Sequence, residues 1–240
     1  MVSTEWVHSE LFAAVMIVVP VPVMIVAERI WTKRTDWLLE PKEMIEDAGW
    51  LAVAGLLFVP LYSDYYQTPI SEGFKAIRDL SPLGLSLAPT SVAGLLGSAL
   101  VVMLISTFVY YWLHRIQHET LFWWRMHATH HHITKMGCMR GDRTHPLEYI
   151  TLMLGTPIAL ALLGAGDGVL AVVGSFRIWT GTLNHANLPL KSLPVYDWVF
   201  ATAQQHHVHH AHERSQSDSN YGCNLILWDR VFGTYCADAS

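Results

Sequence analysis

Long apolar runs separated by short polar stretches set the reading of this chain. The first covers residues 10–27. Pro20 and Pro22 inside it predict a kink, which a bilayer helix tolerates when its neighbours satisfy the freed carbonyls. The segment before it carries Glu5 and Glu10 but no Lys or Arg. It therefore lacks the basic start of a signal peptide and reads as a membrane helix. Arg29, Lys33, Arg34 and Lys42 follow, which predicts a cytoplasmic loop and an N-terminus outside. A second run, 48–62, ends at Pro60 and at Tyr62, Tyr65 and Tyr66, an interfacial aromatic signature. It is short for a full span and fits a re-entrant or tilted helix. Residues 63–90, rich in Ser and Pro, then read as an outer loop.

The third run, 92–113, is long enough to span and passes Tyr110, Tyr111 and Trp112 straight into His114. Residues 147–163 and 168–183 predict a helical pair turned by Gly164 to Gly168. Arg177 falls inside the last run, where it either faces the bundle interior or a wet cavity or snorkels to the interface. The expectation is an all-α integral membrane protein of about four transmembrane helices. Residues 1–90 form the membrane anchor helices and outer loop. Residues 91–240 form one catalytic unit, capped by cytoplasmic helices.

Composition agrees. The 240 residues are 52% hydrophobic and 15% charged, against about 25% charged in ordinary soluble domains. A net charge of −5 with scattered basic residues leaves no nucleic-acid footprint. Cys138, Cys223 and Cys236 include no CxxC, so no disulfide framework follows.

Histidine placement carries the chemistry. Of 14 histidines, all but His8 lie between residues 114 and 212. His114 and His118 form an HxxxH. His127, His130 and His131 form an HxxHH, and so do His206, His209 and His210. On helices these spacings put two, three and three imidazoles on single faces. Neutral imidazole suits iron, zinc, copper or nickel. One zinc takes three or four protein ligands, so eight or nine imidazoles point to two metals. A lone HxxxH arises by chance, but two HxxHH boxes beyond one do not. A solvated His-rich tract would bring low complexity, whereas these boxes sit among Trp123, Trp124, Met126 and Val208.

The order HxxxH, HxxHH, HxxHH resembles the fatty acid hydroxylase/sterol desaturase superfamily of membrane di-iron enzymes. The closing Asn220-Tyr-Gly…Trp228-Asp229-Arg-Val-Phe232-Gly233-Thr234 and the segment Arg143-Thr-His145-Pro146-Leu-Glu148 are similar to that family's further motifs. The resemblance covers about residues 95–236. It implies two iron ions, for which zinc can substitute in a purified sample, with O2 as co-substrate. It implies ligands His114, His118, His127, His130, His131, His206, His209 and His210, with His185 a ninth. His145 matches a family position but reads equally as structural. His132, His207 and His212 fall off the matched positions, and His8 reads as a surface residue. The carboxylates Glu119, Glu148, Asp218 and Asp229 are candidates to orient imidazole N–H groups, each with a plainer alternative as a helix cap or surface ion-pair partner. His145, Glu148 and Asp229 could each also add a ligand. Trp123, Trp124, Trp179 and Trp198 could line an apolar path for substrate, with interface packing as the alternative.

The implied activity is hydroxylation or desaturation of a lipid such as a fatty acyl chain, sterol or carotenoid, with the metals on the cytoplasmic face. With no haem- or flavin-binding module expected, electrons would come from a separate ferredoxin, cytochrome or reductase. Two other readings share the histidines. A membrane metal store or transporter would place ligands near the bilayer midplane, unlike these helix-end clusters. A zinc hydrolase would leave most imidazoles idle.

Overall fold

The computed structural model describes residues 5–81, 86–191 and 193–237, and among them the architecture is all-helical. One antiparallel bridge, Phe200 to Leu225, ties two loop segments. The predicted kink in the first apolar run is a break. Ser9 accepts from the Phe12 amide to start α1 (Glu10–Val18), and α2 (Pro20–Ile30) restarts after Val19. Pro20, with no N–H to give, sits where a helix start needs none.

The second run is part of something longer. Helix α3 (Pro41–Asp79) opens with a capping box, Glu40 and Glu43, around Pro41. Pro60 and Pro69 should break it, since each removes a donor and clashes with a carbonyl four residues back. Instead, π-turns at Ala54–Phe58 and Ser63–Gln67 precede each proline and absorb the misfit. The expected outer loop over 63–90 is thereby corrected, because helix persists to Asp79. Thr68–Asp79 packs on a later helix, and residues 82–85 lie outside the described residues.

Helix α4 (Val92–Glu119), capped by Ser91 on the Gly94 amide, is the axis of the fold. One extended residue, Thr120, ends it and begins α5 (Leu121–His131). Next come the short α6 (Glu148–Leu152) and α7 (Gly155–Leu163), which ends on left-handed Gly164 (φ 60°). Then follow α8 (Asp167–His185), α9 (Pro194–Val199), α10 (Ala203–His209), α11 (Arg214–Ser217) and α12 (Leu227–Phe232). Helix α4 packs on α7 and α8. The first contact is closest at Gly155, where any Cβ would collide with the Ser106 carbonyl.

Helices α3 and α4 are long and apolar enough to cross a membrane. Only 11% of the apolar window of α3 and 33% of that of α4 is buried. Leu56 and Leu96 are among the large side chains they leave exposed, as Ile17 and Val26 are on α1 and α2. An apolar surface this extensive suits lipid rather than water. Away from the histidines, Leu95, Ala99, Val102, Ala159, Val169 and Val173 form the main core, and it clamps α4, α7 and α8 together.

Candidate metal centre

The apolar helices deliver their histidines at one end. His114 and His118 occupy the last turns of α4, and His185 ends α8. The reversal at Thr120 folds α5 back so that the His127 ring lies 4.6 Å from His114 and 4.8 Å from His118. Helix α10, started by a Thr202–Gln205 capping box, supplies His206 and His209, and His210 caps its end.

Nine imidazoles assemble as two adjoining groups. His114, His118, His127, His131 and His209 form the first, and His130, His185, His206 and His210 form the second. Within each, one nitrogen per ring lies within 4.8 Å of all the others. The groups abut where His131 stacks on His210 at 4.4 Å. Eight of the nine rings are buried, and His131 is half-buried.

Ring orientation decides what these groups can hold. The Nδ1 atoms of His114, His209 and His185 donate to the carbonyls of Tyr221 (2.6 Å), Ser219 (2.7 Å) and Gly181 (2.9 Å). A carbonyl only accepts, so in each neutral ring the single N–H is spent there and Nε2 keeps a lone pair. Yet the Nε2 atoms face each other: His114 to His209 at 3.2 Å, His114 to His127 at 2.8 Å, and His185 to His206 at 3.0 Å. Between His114 and His209 both Nδ1 protons are spent on carbonyls, so two lone pairs face and repel, and a cation between them turns the repulsion into coordination. His206 Nδ1 has no partner among the described residues, so without a metal its Nε2–H donates to His185. The Nε2 of His118 is also buried without a partner. These donors therefore fit two metal ions with affinity for imidazole nitrogen.

Charge state agrees. Burial first, then neighbouring imidazoles, lowers His130 to about 3 and holds His127, His131, His206, His209 and His210 well below the ordinary histidine value. Neutral rings are the metal-binding form.

The surrounding residues hold these rings. Glu148 accepts from His127 Nδ1 at 2.6 Å, and Asp218 from His118 Nδ1 at 3.2 Å. Glu119 instead pairs with Arg115. Asp229 touches no histidine. It accepts the amides of Tyr221 (2.8 Å) and Gly222 (2.7 Å), fixing the turn whose Tyr221 carbonyl meets His114. Burial lifts its carboxyl to about 6. His145 lies outside both groups and accepts from the Leu147 amide. His132 and His212 are exposed, and His207 packs edge-on against Trp37. The His8 side chain lies outside the described residues. Trp124 packs on His118 and His131 at 5.2 and 5.5 Å, beside a cavity of about 440 Å³ that His212 and Asp218 also line. Trp198 lies near the surface under Arg230, and Trp179 packs against the cluster of Met24, Met139 and Leu188.

Several supports had no sequence signal of their own. The Tyr221 and Ser219 carbonyls are backbone groups. Buried Glu28 of α2 accepts the amides of Cys138 and Asn187, both at 2.8 Å, and so locks the loops beside His185. Arg140 and Arg143 bind buried Asp47 of α3, pinning the loop whose Gly141 faces His185. The run Asn220-Tyr221-Gly222 with Asp229 stands out in the sequence as a family-like motif, but Asp229 holds the Tyr221 and Gly222 amides rather than an imidazole.

Residues 99–234 match the fatty acid hydroxylase family. The chain is similar to ornithine lipid hydroxylase OlsE of Rhizobium tropici, with 33% identity over 55% of this chain and 40% of that protein. Human alkylglycerol monooxygenase is 32% identical over 55% of this chain and 29% of its own length. Methylsterol monooxygenase 1 of Rattus norvegicus is 28% identical over 52% and 42%. The alignments thus span less than half the length of these relatives. No solved structure matches the chain. On the extent of the family match, which carries all nine clustered histidines, the chain belongs to the fatty acid hydroxylase family.

Proposed function

We propose that this chain is an O2-dependent di-iron membrane enzyme that hydroxylates a lipid, using the nine clustered histidines as ligands. The carrying observation is the pair of adjoining imidazole groups with mutually facing Nε2 atoms. Two irons held there would supply the O2 activation that acid–base side chains cannot provide for an unactivated C–H bond. The balance is R–H + O2 + 2 electrons + 2 protons giving R–OH + H2O, with the electrons from a separate ferredoxin, cytochrome or reductase.

The chain's own part is to bind and orient. Tyr221, Ser219, Gly181, Glu148 and Asp218 set ring tautomers from outside, which leaves Nε2 free in each case. The arrangement in the membrane follows from the basic loop after α2. The N-terminus lies outside, about four segments cross the bilayer, and the histidine end faces the cytoplasm. Residues 1–90 anchor and brace residues 91–240. The relatives named for hydroxylation of ornithine lipid, alkylglycerol and methylsterol support a lipid as substrate here.

The test is mass spectrometry of total lipids from cells expressing the chain and a matched electron donor under ¹⁸O2, beside His130→Ala. One heavy oxygen in a lipid only with the intact protein is the expected result. Loss of two hydrogens without label would reassign it as a desaturase. No lipid change would bring forward a metal-binding or transport role.

A further inference from the structure

Arg177 is a cation placed inside the helix bundle with no anion to meet it among the described residues. It lies in mid-α8, half-buried, and its Nη1 donates to Thr156 of α7 at 2.5 Å. Its guanidinium carbon sits 5.8 Å over the Tyr110 ring of α4. Among the described residues no carboxylate oxygen lies within 4 Å of it, although other buried cations of this protein, such as Arg140, are paired. A guanidinium offers five N–H donors in a planar fork, and among the described residues one is taken. An intramembrane arginine is costly unless something polar completes it.

Its position relates it to the histidines. Arg177, Gly181 and His185 follow at i, i+4 and i+8 and so share one face of α8. Tyr110 precedes His114 by one turn, and the two rings lie 5.3 Å apart. Arg177 therefore stands just on the bundle side of both imidazole groups. At Gly181, between Arg177 and His185, a Cβ would meet nothing within 4 Å, so there is open space along that face. Tyr110 and Cys223, like Arg177, keep accessible surface.

We propose that Arg177 is a specificity-determining residue: its remaining N–H groups grip an anionic oxygen, carboxylate or phosphate, of the lipid in the open space beside Gly181. This rests on the lipid-oxidising reading. The oxidised carbon then lies on the order of 10 Å from that oxygen, because Arg177 and His185 stand eight residues, about 12 Å, apart on one face of α8. Arg suits such planar two-point recognition, and Lys does not replace its geometry.

The experiment measures equilibrium binding of palmitate, hexadecyl phosphate and methyl palmitate to the full chain loaded with redox-inert zinc in detergent. Wild type, Arg177→Gln, Arg177→Lys and Gly181→Leu are compared, with zinc content and melting temperature recorded for each. Wild type should bind one anion at least ~10-fold more tightly than the neutral ester. Which anion wins identifies carboxylate or phosphate. Arg177→Gln should erase that preference at unchanged zinc content, Arg177→Lys should retain part of it, and Gly181→Leu should weaken all three ligands. Equal binding of ester and anions by wild type, or a preference that survives in Arg177→Gln, overturns the proposal. If the Arg177-dependent preference holds while no lipid takes up ¹⁸O, the oxygenase reading fails and this one stands. In turnover, Arg177→Gln should raise KM for the anionic lipid with a smaller change in kcat.

Discussion

His114 and His209 aim their Nε2 atoms at one another across 3.2 Å while each spends its Nδ1 proton on a backbone carbonyl, Tyr221 for one and Ser219 for the other. Two neutral rings so fixed cannot hydrogen-bond each other. An ion bound there would relieve a repulsion that the backbone enforces, so metal should stabilise the fold. Chelation should lower the melting temperature, and re-addition of Fe(II) or Zn(II) should restore it. His209→Ala and His206→Ala, one from each group, should each reduce bound metal from about two ions to about one per chain. Elemental analysis checks this. Two ions retained in both variants would break the assignment.

Acid should act on the metal-free protein in a defined window. His130 is held at about 3, and His127, His131, His206, His209 and His210 also lie well below their unfolded value near 6.5. The unfolded chain thus binds more protons than the folded one in that range, so stability is present above about pH 6.5 and falls as pH drops toward 3. Asp229, raised by burial to about 6, Glu148, raised to about 8, and Asp142, also raised, work in the opposite sense above their unfolded values, but they are fewer than the buried imidazoles. Melting temperature against pH for the chelated protein should show the acid-side loss. A flat profile from pH 7 to 5 would contradict it.

Glu148→Gln tests how His127 is held. Its carboxylate accepts from His127 Nδ1 at 2.6 Å, and both side chains are buried. Burial pushes the Glu148 carboxyl up to about 8, and a cation on His127 would draw it to the charged form. An amide keeps the shape but cannot take that charge, which weakens the imidazole as a donor to metal. Metal affinity should fall about 10- to 100-fold with a small change in apo stability. Competition with a chromophoric chelator measures it.

Gly141→Ala probes the second group from behind. A Cβ there would lie 3.0 Å from His185 Nδ1, the atom bonded to the Gly181 carbonyl. The ring must shift by a few tenths of an ångström, which strains its bond to Gly181 and its place in the group, so metal content should drop toward one ion per chain. Gly137→Ala is the control, since its Cβ would meet only the flexible end of Leu39 at 3.3 Å. Equal metal loss in both would point to a general effect of the loop.

Asp229→Ala should destabilise the fold by about 2–4 kcal/mol, because it strips two buried amides, Tyr221 and Gly222, of their shared acceptor. Denaturant unfolding checks the magnitude. A loss of metal that exceeds the loss of stability would locate the effect at His114, through the Tyr221 carbonyl.

By itself the sequence determined the candidate ligand types and the helical faces that present them. Spacings of three and four residues at 114/118, 127/130/131 and 206/209/210 are local, and helix geometry turns them into shared faces without reference to the rest of the chain. The apolar runs likewise announced α4, α7 and α8. Local pattern failed where a long-range partner decided the outcome. Residues 63–79 read as loop from their Ser and Pro content, yet π-turns absorb the prolines and the last helical stretch of α3 finds α7 to pack on. Tertiary structure alone decided how nine imidazoles divide into five and four, because that depends on the single-residue reversal at Thr120 and on where α8 and α10 meet α5. It alone brought Glu28 and Asp47 of the first helices to brace the loops around His185. A hydrogen bond to a backbone amide or carbonyl leaves no mark in the sequence of its partner. The tautomers of His114, His185 and His209, and with them the fit to metal, therefore became visible only once the chain was folded.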